Sequence, residues 1–122
     1  MAPKRILIVD DHAAVRNAVK KMIDASPNME VCGEAENGKS AIEKAQASEP
    51  DVIVLDLSMP IMNGLEAARV LRRLMPATPI LMYTAFSNSH LAEEALAAGV
   101  SRVASKTSPP DALLRELQLL LG

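Results

Sequence analysis

DVIVLD, residues 51 to 56, is an apolar run closed by an acid, and it continues as LSMPIMNG to residue 64. Four consecutive apolar residues, bounded by Asp51 on one side and by a proline and glycine beyond the other, read as a short strand. Because the run is apolar on both faces, it belongs inside a parallel sheet covered by helices on both sides. A carboxylate at the end of such a strand has no packing role, so Asp56 asks for a chemical one.

Working outward, similar runs recur at RILIVD (5 to 10), MEVCGEA (29 to 35), TPILMYT (78 to 84) and SRVAS (101 to 105). The intervening stretches have helical spacing. Val15, Val19, Met22 and Ile23 share a face after Asp11, and SPNM closes that helix with a proline. GKSAIEKAQAS (38 to 48) and GLEAARVLRRL (64 to 74) give a second and a third helix, the latter aligning Leu65, Ala68 and Leu71. SHLAEEALAAG closes a fourth at Gly99, with few large apolar residues to anchor it. Ser108, Pro109, Pro110 and Asp111 resemble a capping-box opening for a fifth, which carries Leu113, Leu117, Leu120 and Leu121 on one face.

Strict alternation of strand and helix implies a single doubly wound (βα)5 α/β domain over residues 1–122, with a parallel five-stranded sheet. MEVCGEA alternates in polarity and SRVAS is short and polar, so both belong at edges. The order 2-1-3-4-5 satisfies this. In sheets of that order, ligands bind beyond the carboxyl ends of the strands where successive connections diverge, here between the first and third strands. Asp10 and Asp11 end the first strand and Asp56 the third, so three carboxylates converge on that crevice.

Composition narrows the partners. The 122 residues are 49% hydrophobic and 23% charged, an ordinary globular balance, and carry a net charge of −2 with no basic stripe, which argues against direct nucleic-acid binding. Aromatics are only 2%, so the seven methionines are read as gap-fillers in an aliphatic core. The single Cys32 cannot form an internal disulfide and reads as a small buried strand residue. No run approaches the ~20 apolar residues that span a bilayer, and MAPKRILIVDD is charged too early for a secretory signal; the expected location is the cytoplasm.

Like charges in a low-dielectric crevice repel one another unless a cation joins them. Mg²⁺ takes oxygen ligands and retains waters, leaving room for a phosphoryl oxygen. The fourth and fifth strands end in Thr84 and Lys106, a hydroxyl and a cation suited to an anion. Together these residues describe a site that holds Mg²⁺, exposes Asp56 as nucleophile and steadies a phosphoryl group. Taken singly they are unremarkable: Asp11 also stands where an acid would N-cap the first helix, and Asp56 alone is a common turn residue.

The constellation resembles the receiver domains of bacterial two-component response regulators, the CheY-like family with a flavodoxin-like fold. LIVDDH matches the family's acidic pair, VLDLSMPIMNG its phosphoacceptor strand and loop, LMYTA its switch threonine and SRVASKT its lysine. The resemblance implies phosphotransfer from a sensor histidine kinase or phosphotransfer protein to Asp56. Asp10 and Asp11, with the backbone carbonyl of Ser58, would hold Mg²⁺; Lys106 would pair with the phosphoryl group and Thr84 would move to bond it. The chain would assist its own phosphorylation and dephosphorylation without being a conventional enzyme. The fourth helix, fifth strand and fifth helix would then present a changed face to an output domain, a partner protein or a second copy.

Several positions depart from or refine that pattern. Val103 stands where many receivers carry an aromatic residue, and Thr107 replaces the proline that often follows the lysine, so that peptide is free to be trans. SKTS and DDH are closer to receivers that precede helix-turn-helix domains of NarL and FixJ type, which leaves a lone receiver and the front of a longer regulator both open. Ser58 and Phe86 occupy positions that tune phosphoryl loss, and a bulky Phe86 is expected to restrict the attacking water. His12 and His90 read as solvated surface residues, with His12 near enough to the acids to bias metal binding. Tyr83 is expected to pack at a strand end, Pro60 to stiffen the loop beside Asp56, and Gly64 to admit the chain into the third helix. Among alternatives, a dehalogenase-type phosphatase wants an acid where Ser58 stands, and a flavin or nucleotide module wants glycines where DDHAAV stands. A phosphorylation-independent interaction module is the remaining alternative.

Overall fold

The structure, a computed structural model, describes residues 2–85 and 89–122. Five strands, β1 (Lys4–Val9), β2 (Met29–Ala35), β3 (Val52–Leu55), β4 (Ile80–Thr84) and β5 (Arg102–Ser105), form one parallel sheet of order β2-β1-β3-β4-β5. They alternate with α1 (Ala13–Asp24), α2 (Gly38–Ser48), α3 (Gly64–Leu74), α4 (Ser89–Ala97) and α5 (Pro110–Leu121). The expected topology and both edge strands are therefore present. Residues 10 and 56 lie just past their strands, so β1 and β3 each stop one residue before the acid that closes the apolar run.

Alternate residues along each strand feed two separate cores. Leu7, Val9, Ile53, Leu55, Ile80 and Met82 pack with Ala41, Ala45, Ala67, Ala68, Leu71 and Ala95, which covers one face of the sheet with α2, α3 and α4. Ile6, Ile8, Val52, Val54 and Leu81 pack with Val19, Ile23, Leu113 and Leu117 from α1 and α5 on the other. Each fully buried Leu or Ile contributes about 1.5–3 kcal/mol of transfer free energy. Of the described methionines only Met29 and Met82 are buried; Met22, Met59, Met62 and Met75 sit half-buried at the margins, which corrects the reading of them all as core fillers.

Local chemistry sets the helix starts. The Asn37 side chain accepts from Ser40 N–H at the head of α2, and Asn63 and Glu66 form a reciprocal capping box at the head of α3. Two expected caps do not form. His12, not Asp11, is the N-cap residue of α1, without a side-chain cap bond, because the two acids are turned toward the crevice. At α5 the N-cap is Pro109 with Pro110 in the first turn, and Ser108 gives its N–H to the Ser105 carbonyl instead.

Cys32 is also corrected. The β1–β2 register slips between Ile6 and Leu7, which pair with Val31 and Gly33, so Cys32 is the bulged residue and only half-buried, its Sγ 3.8 Å from Ser48 Oγ.

Gly64 serves space rather than conformation: a Cβ there would stand 2.1 Å from the Asp56 carbonyl oxygen. Its N–H donates to the Leu57 carbonyl at 2.8 Å, closing the loop from 57 to 63. At the outer tip of that loop, after Pro60, Ile61 adopts φ 70° with its side chain exposed. A β-branched residue in the left-handed region is strained.

Candidate functional site

Backbone hydrogen bonds bring the strand ends together. Asp10 N–H donates to Ala35 O at 3.0 Å, Asp56 N–H to Val9 O at 2.9 Å, and Lys106 N–H to Thr84 O at 2.8 Å. Four strand ends therefore deliver Asp10, Asp56, Thr84 and Lys106 to one edge of the sheet, and Asp11 joins them from the turn. Asp10, Asp56 and Thr84 are buried polar residues in an otherwise apolar interior.

Lys106 joins the acids. Its Nζ lies 2.6 Å from Asp10 Oδ2 and 3.3 Å from Asp56 Oδ1. Asp56 Oδ1 also accepts the Leu57 N–H at 2.8 Å. The Lys106 and Leu57 contacts of this carboxylate both fall on Oδ1. Asp10 is held harder: its Oδ1 accepts the His12 N–H at 2.9 Å, and its carbonyl accepts from Arg16 Nη1 at 2.7 Å.

The charges do not balance evenly. Burial, and then the negative charge of Asp10, push the Asp56 carboxyl above the ordinary value of 3.8, against the pull of Lys106 and the Leu57 N–H. Burial disfavours the charged Lys106, yet its bond to Asp10 and the charge of Asp56 outweigh that and raise its pKa. An ammonium facing two carboxylates stays charged, while the phosphoacceptor candidate is the member held under stress.

Asp10, Asp11, His12 and Asp56 each offer one ligand atom, all within 4.8 Å of one another. Asp11 Oδ1 is buried and without a hydrogen-bond partner. A buried oxygen left without a donor is costly unless a cation meets it. That oxygen, which has the His12 ring nitrogen 3.0 Å away but accepts no hydrogen bond, fits a dication together with the two further carboxylates.

The His12 ring lies beside the acids and its side chain is 67% exposed at the surface, both as the sequence leads one to expect. His90 meets that expectation, pairing across one turn with Glu94 on the surface. Tyr83 lies half-buried with its ring centre 5.9 Å from Lys106 Nζ. Val103 is half-buried against the α2–α4 core, and no cis peptide occurs among the described residues, so the bond to Thr107 is trans. Ser58 is exposed two residues past Asp56. Phe86 lies outside the described residues. The grip of Arg16 on the Asp10 carbonyl had no sequence signal beyond a basic residue in the first turn of a helix.

Comparison with known proteins follows the same line. The family model described as response regulator receiver domain matches residues 6–118. The nitrate/nitrite response regulator protein NarL of Escherichia coli (strain K12) is 38% identical over 115 residues, covering 94% of this chain and 53% of that protein. A protein-glutamate methylesterase/protein-glutamine glutaminase of Pyrococcus abyssi is 47% identical over 83 residues, covering 68% of this chain and 22% of that one. The chain thus spans about half or less of the length of these relatives. Among solved structures, a LuxR-family two-component response regulator from Aurantimonas sp. SI85-9A1 superposes with a TM-score of 0.94 at 33% identity, covering 98% of this chain and 86% of that one.

Proposed function

This chain belongs to the response regulator receiver domain family of two-component systems, and from that premise we propose that Asp56 is its phosphoacceptor. The observation that carries the assignment is Lys106, whose ammonium contacts Asp10 and Asp56 at once.

On this reading an Asp56 carboxylate oxygen attacks the phosphorus of a phosphohistidine on a sensor kinase or phosphotransfer protein. The P–N bond breaks, an acyl phosphate forms, and the departing imidazole takes up a proton. Receiver domains generally bind Mg²⁺, and here Asp10, Asp11, Asp56 and the Ser58 carbonyl would hold it. When bound, a hard dication neutralises carboxylates and polarises a phosphoryl oxygen. The raised pKa of Asp56 describes the state before that neutralisation.

The new phosphoryl group carries about −1.5 to −2 charge and strong acceptor oxygens. Lys106 is already within reach, and buried Thr84 ends the neighbouring strand. Drawing both inward shifts the loops after β4 and β5. Helix α4 is placed to follow, since it is the next element after Thr84 and buries one large side chain, Leu91, with the small Ala95. The α4–β5–α5 face is then the surface that an output domain, a partner protein or a second copy would read.

The chain over 1–122 is taken as one receiver domain acting in the cytoplasm, an acceptor rather than a conventional enzyme. No helix among the described residues is long and apolar enough to cross a membrane. The complete pocket weighs against a phosphorylation-independent module.

Intact mass spectrometry after incubation with Mg²⁺ and acetyl phosphate tests the assignment. A Mg²⁺-dependent gain of one phosphoryl group in the wild type, absent from Asp56→Asn, is expected. A gain that persists in the variant would move the phosphoacceptor elsewhere.

A further inference from the structure

The backbone of His12 is held beside the acids, and its ring lies against them. Its N–H is bonded to Asp10 Oδ1, and as N-cap of α1 it makes no side-chain capping bond that would occupy the ring. The ring's Nδ1 lies 3.0 Å from Asp11 Oδ1 and 3.2 Å from Asp10 Oδ1. Asp11 Oδ1 is the same buried oxygen that accepts no hydrogen bond.

Two donors bound at right angles, each about 2.1 Å from one ion, stand about 3.0 Å apart. His12 Nδ1 has that spacing to each of the two acids, and Asp56 brings its own ligand atom to within 4.8 Å of the group. An imidazole nitrogen changes which ion such a set prefers. Oxygen-only sets suit Mg²⁺, whereas imidazole suits zinc, copper, nickel and iron.

We propose that His12 Nδ1 is a fourth side-chain ligand at the acidic site, giving this receiver a mixed nitrogen and oxygen set that takes a first-row transition-metal dication in preference to Mg²⁺. This rests on the reading of the acidic cluster as the cation site. Its consequence is regulatory. The ion in the pocket, and with it the readiness of Asp56, becomes dependent on which divalent metals are available.

The bland alternative is that the His12 ring serves as a counter-cation for the two acids and is displaced when an ion arrives. The two predict opposite effects of removing the ring. A ligand's removal weakens nickel selectively, whereas a competitor's removal strengthens every ion.

The test is calorimetric titration of the unphosphorylated protein with Mg²⁺ and, separately, Ni²⁺, comparing wild type, His12→Ala, Asp11→Asn and His90→Ala. Loss of about tenfold or more in Ni²⁺ affinity in His12→Ala, with Mg²⁺ affinity changed by less than about threefold, is expected. His90→Ala should leave both ions unaffected, which separates the site from adventitious binding at a surface histidine. Equal changes for the two ions in His12→Ala, or tighter binding of both, would overturn the proposal. Asp11→Asn tests the underlying reading by itself. If it leaves Mg²⁺ binding intact, the acidic cluster is not the cation site and the assignment of His12 falls with it. A direct readout accompanies the affinities: with only two histidines in the chain, the His12 ring resonances are identified by their absence in His12→Ala. They should shift with Zn²⁺, and an unchanged ring signal at saturating Zn²⁺ would also refute ligation.

Discussion

Lys106 Nζ stands closer to Asp10 Oδ2, at 2.6 Å, than to Asp56 Oδ1, at 3.3 Å. The ammonium is seated on Asp10, and Asp56, the proposed phosphoacceptor, lies at the longer of the two distances. Such an arrangement keeps a cation next to the reacting oxygen without occupying it fully.

Removing that cation leaves two carboxylates facing each other with little water. Lys106→Met should therefore lose about 2–4 kcal/mol of stability at neutral pH, near the lower part of the range for a broken buried pair because the site opens at the sheet edge. Urea unfolding in the absence of divalent ions measures it, and added Mg²⁺ should restore part of the loss. A loss that Mg²⁺ leaves unchanged would mean that packing of the lysine stem, not charge, is what the variant removes.

The raised pKa of Asp56 makes stability depend on pH in a definite direction. Folded Asp56 holds its proton after the unfolded chain has released it, so the folded state binds more protons. Stability conferred by the protonated group is complete below the ordinary carboxylate value of 3.8 and is lost as pH rises through the higher folded value. Asp56→Asn should be more stable than wild type above that window and lack the corresponding slope. Urea midpoints across the acid range, without metal, compare the two; parallel curves would contradict the assignment of the slope to Asp56.

Ile61 combines φ 70° with a side chain that is 78% exposed. Asparagine accepts the left-handed region far better, and little burial is forfeited. Ile61→Asn should raise stability by about 1 kcal/mol, read as a higher urea midpoint with an unchanged slope. An unchanged midpoint would show that the loop relaxes around the isoleucine in solution.

Tyr83 is the chain's one tyrosine and there is no tryptophan, so its emission is free of overlap. Because Lys106 Nζ lies 5.9 Å from its ring centre, any ligand that redirects the ammonium alters the ring's surroundings. Adding Mg²⁺ and then beryllofluoride or acetyl phosphate should change the fluorescence intensity in wild type. Lys106→Met should abolish most of that response; a full response there would assign it to some other movement.

Much of this architecture is legible in residue order because it rests on periodicity. The bounds of β2, α2 and α3 coincide with the stretches MEVCGEA, GKSAIEKAQAS and GLEAARVLRRL, where a change of apolar period marks both ends. The strand order followed from which strands tolerate a polar face, and the convergence of Asp10, Asp56, Thr84 and Lys106 followed from that order. What periodicity does not encode is direction. Asp11 and Ser108 have the composition of caps, but the first is turned toward the crevice and the second follows the turn after Lys106. Asn37 and Asn63, which do cap, look no different in the chain. The bulge at Cys32 depends on how β2 meets β1, the need for Gly64 on where the Asp56 carbonyl lies 8 residues earlier in the chain, and the place of the His12 ring on where the two acids turn.

The two layers that sandwich the sheet are built from different materials. On the side of α1 and α5 the interlocking residues are Val19, Ile23, Leu113 and Leu117, whereas α2, α3 and α4 meet the strands largely through Ala41, Ala45, Ala67, Ala68 and Ala95. Branched side chains set into one another act as teeth, and moving such a helix requires several rotamers to turn together. Methyl groups act more like a bearing surface, across which a helix slides with few rotamer changes. Apart from Leu71, the α2–α4 side is thus the one with the smaller side chains, and α4, the next element after Thr84, meets that core through Ala95.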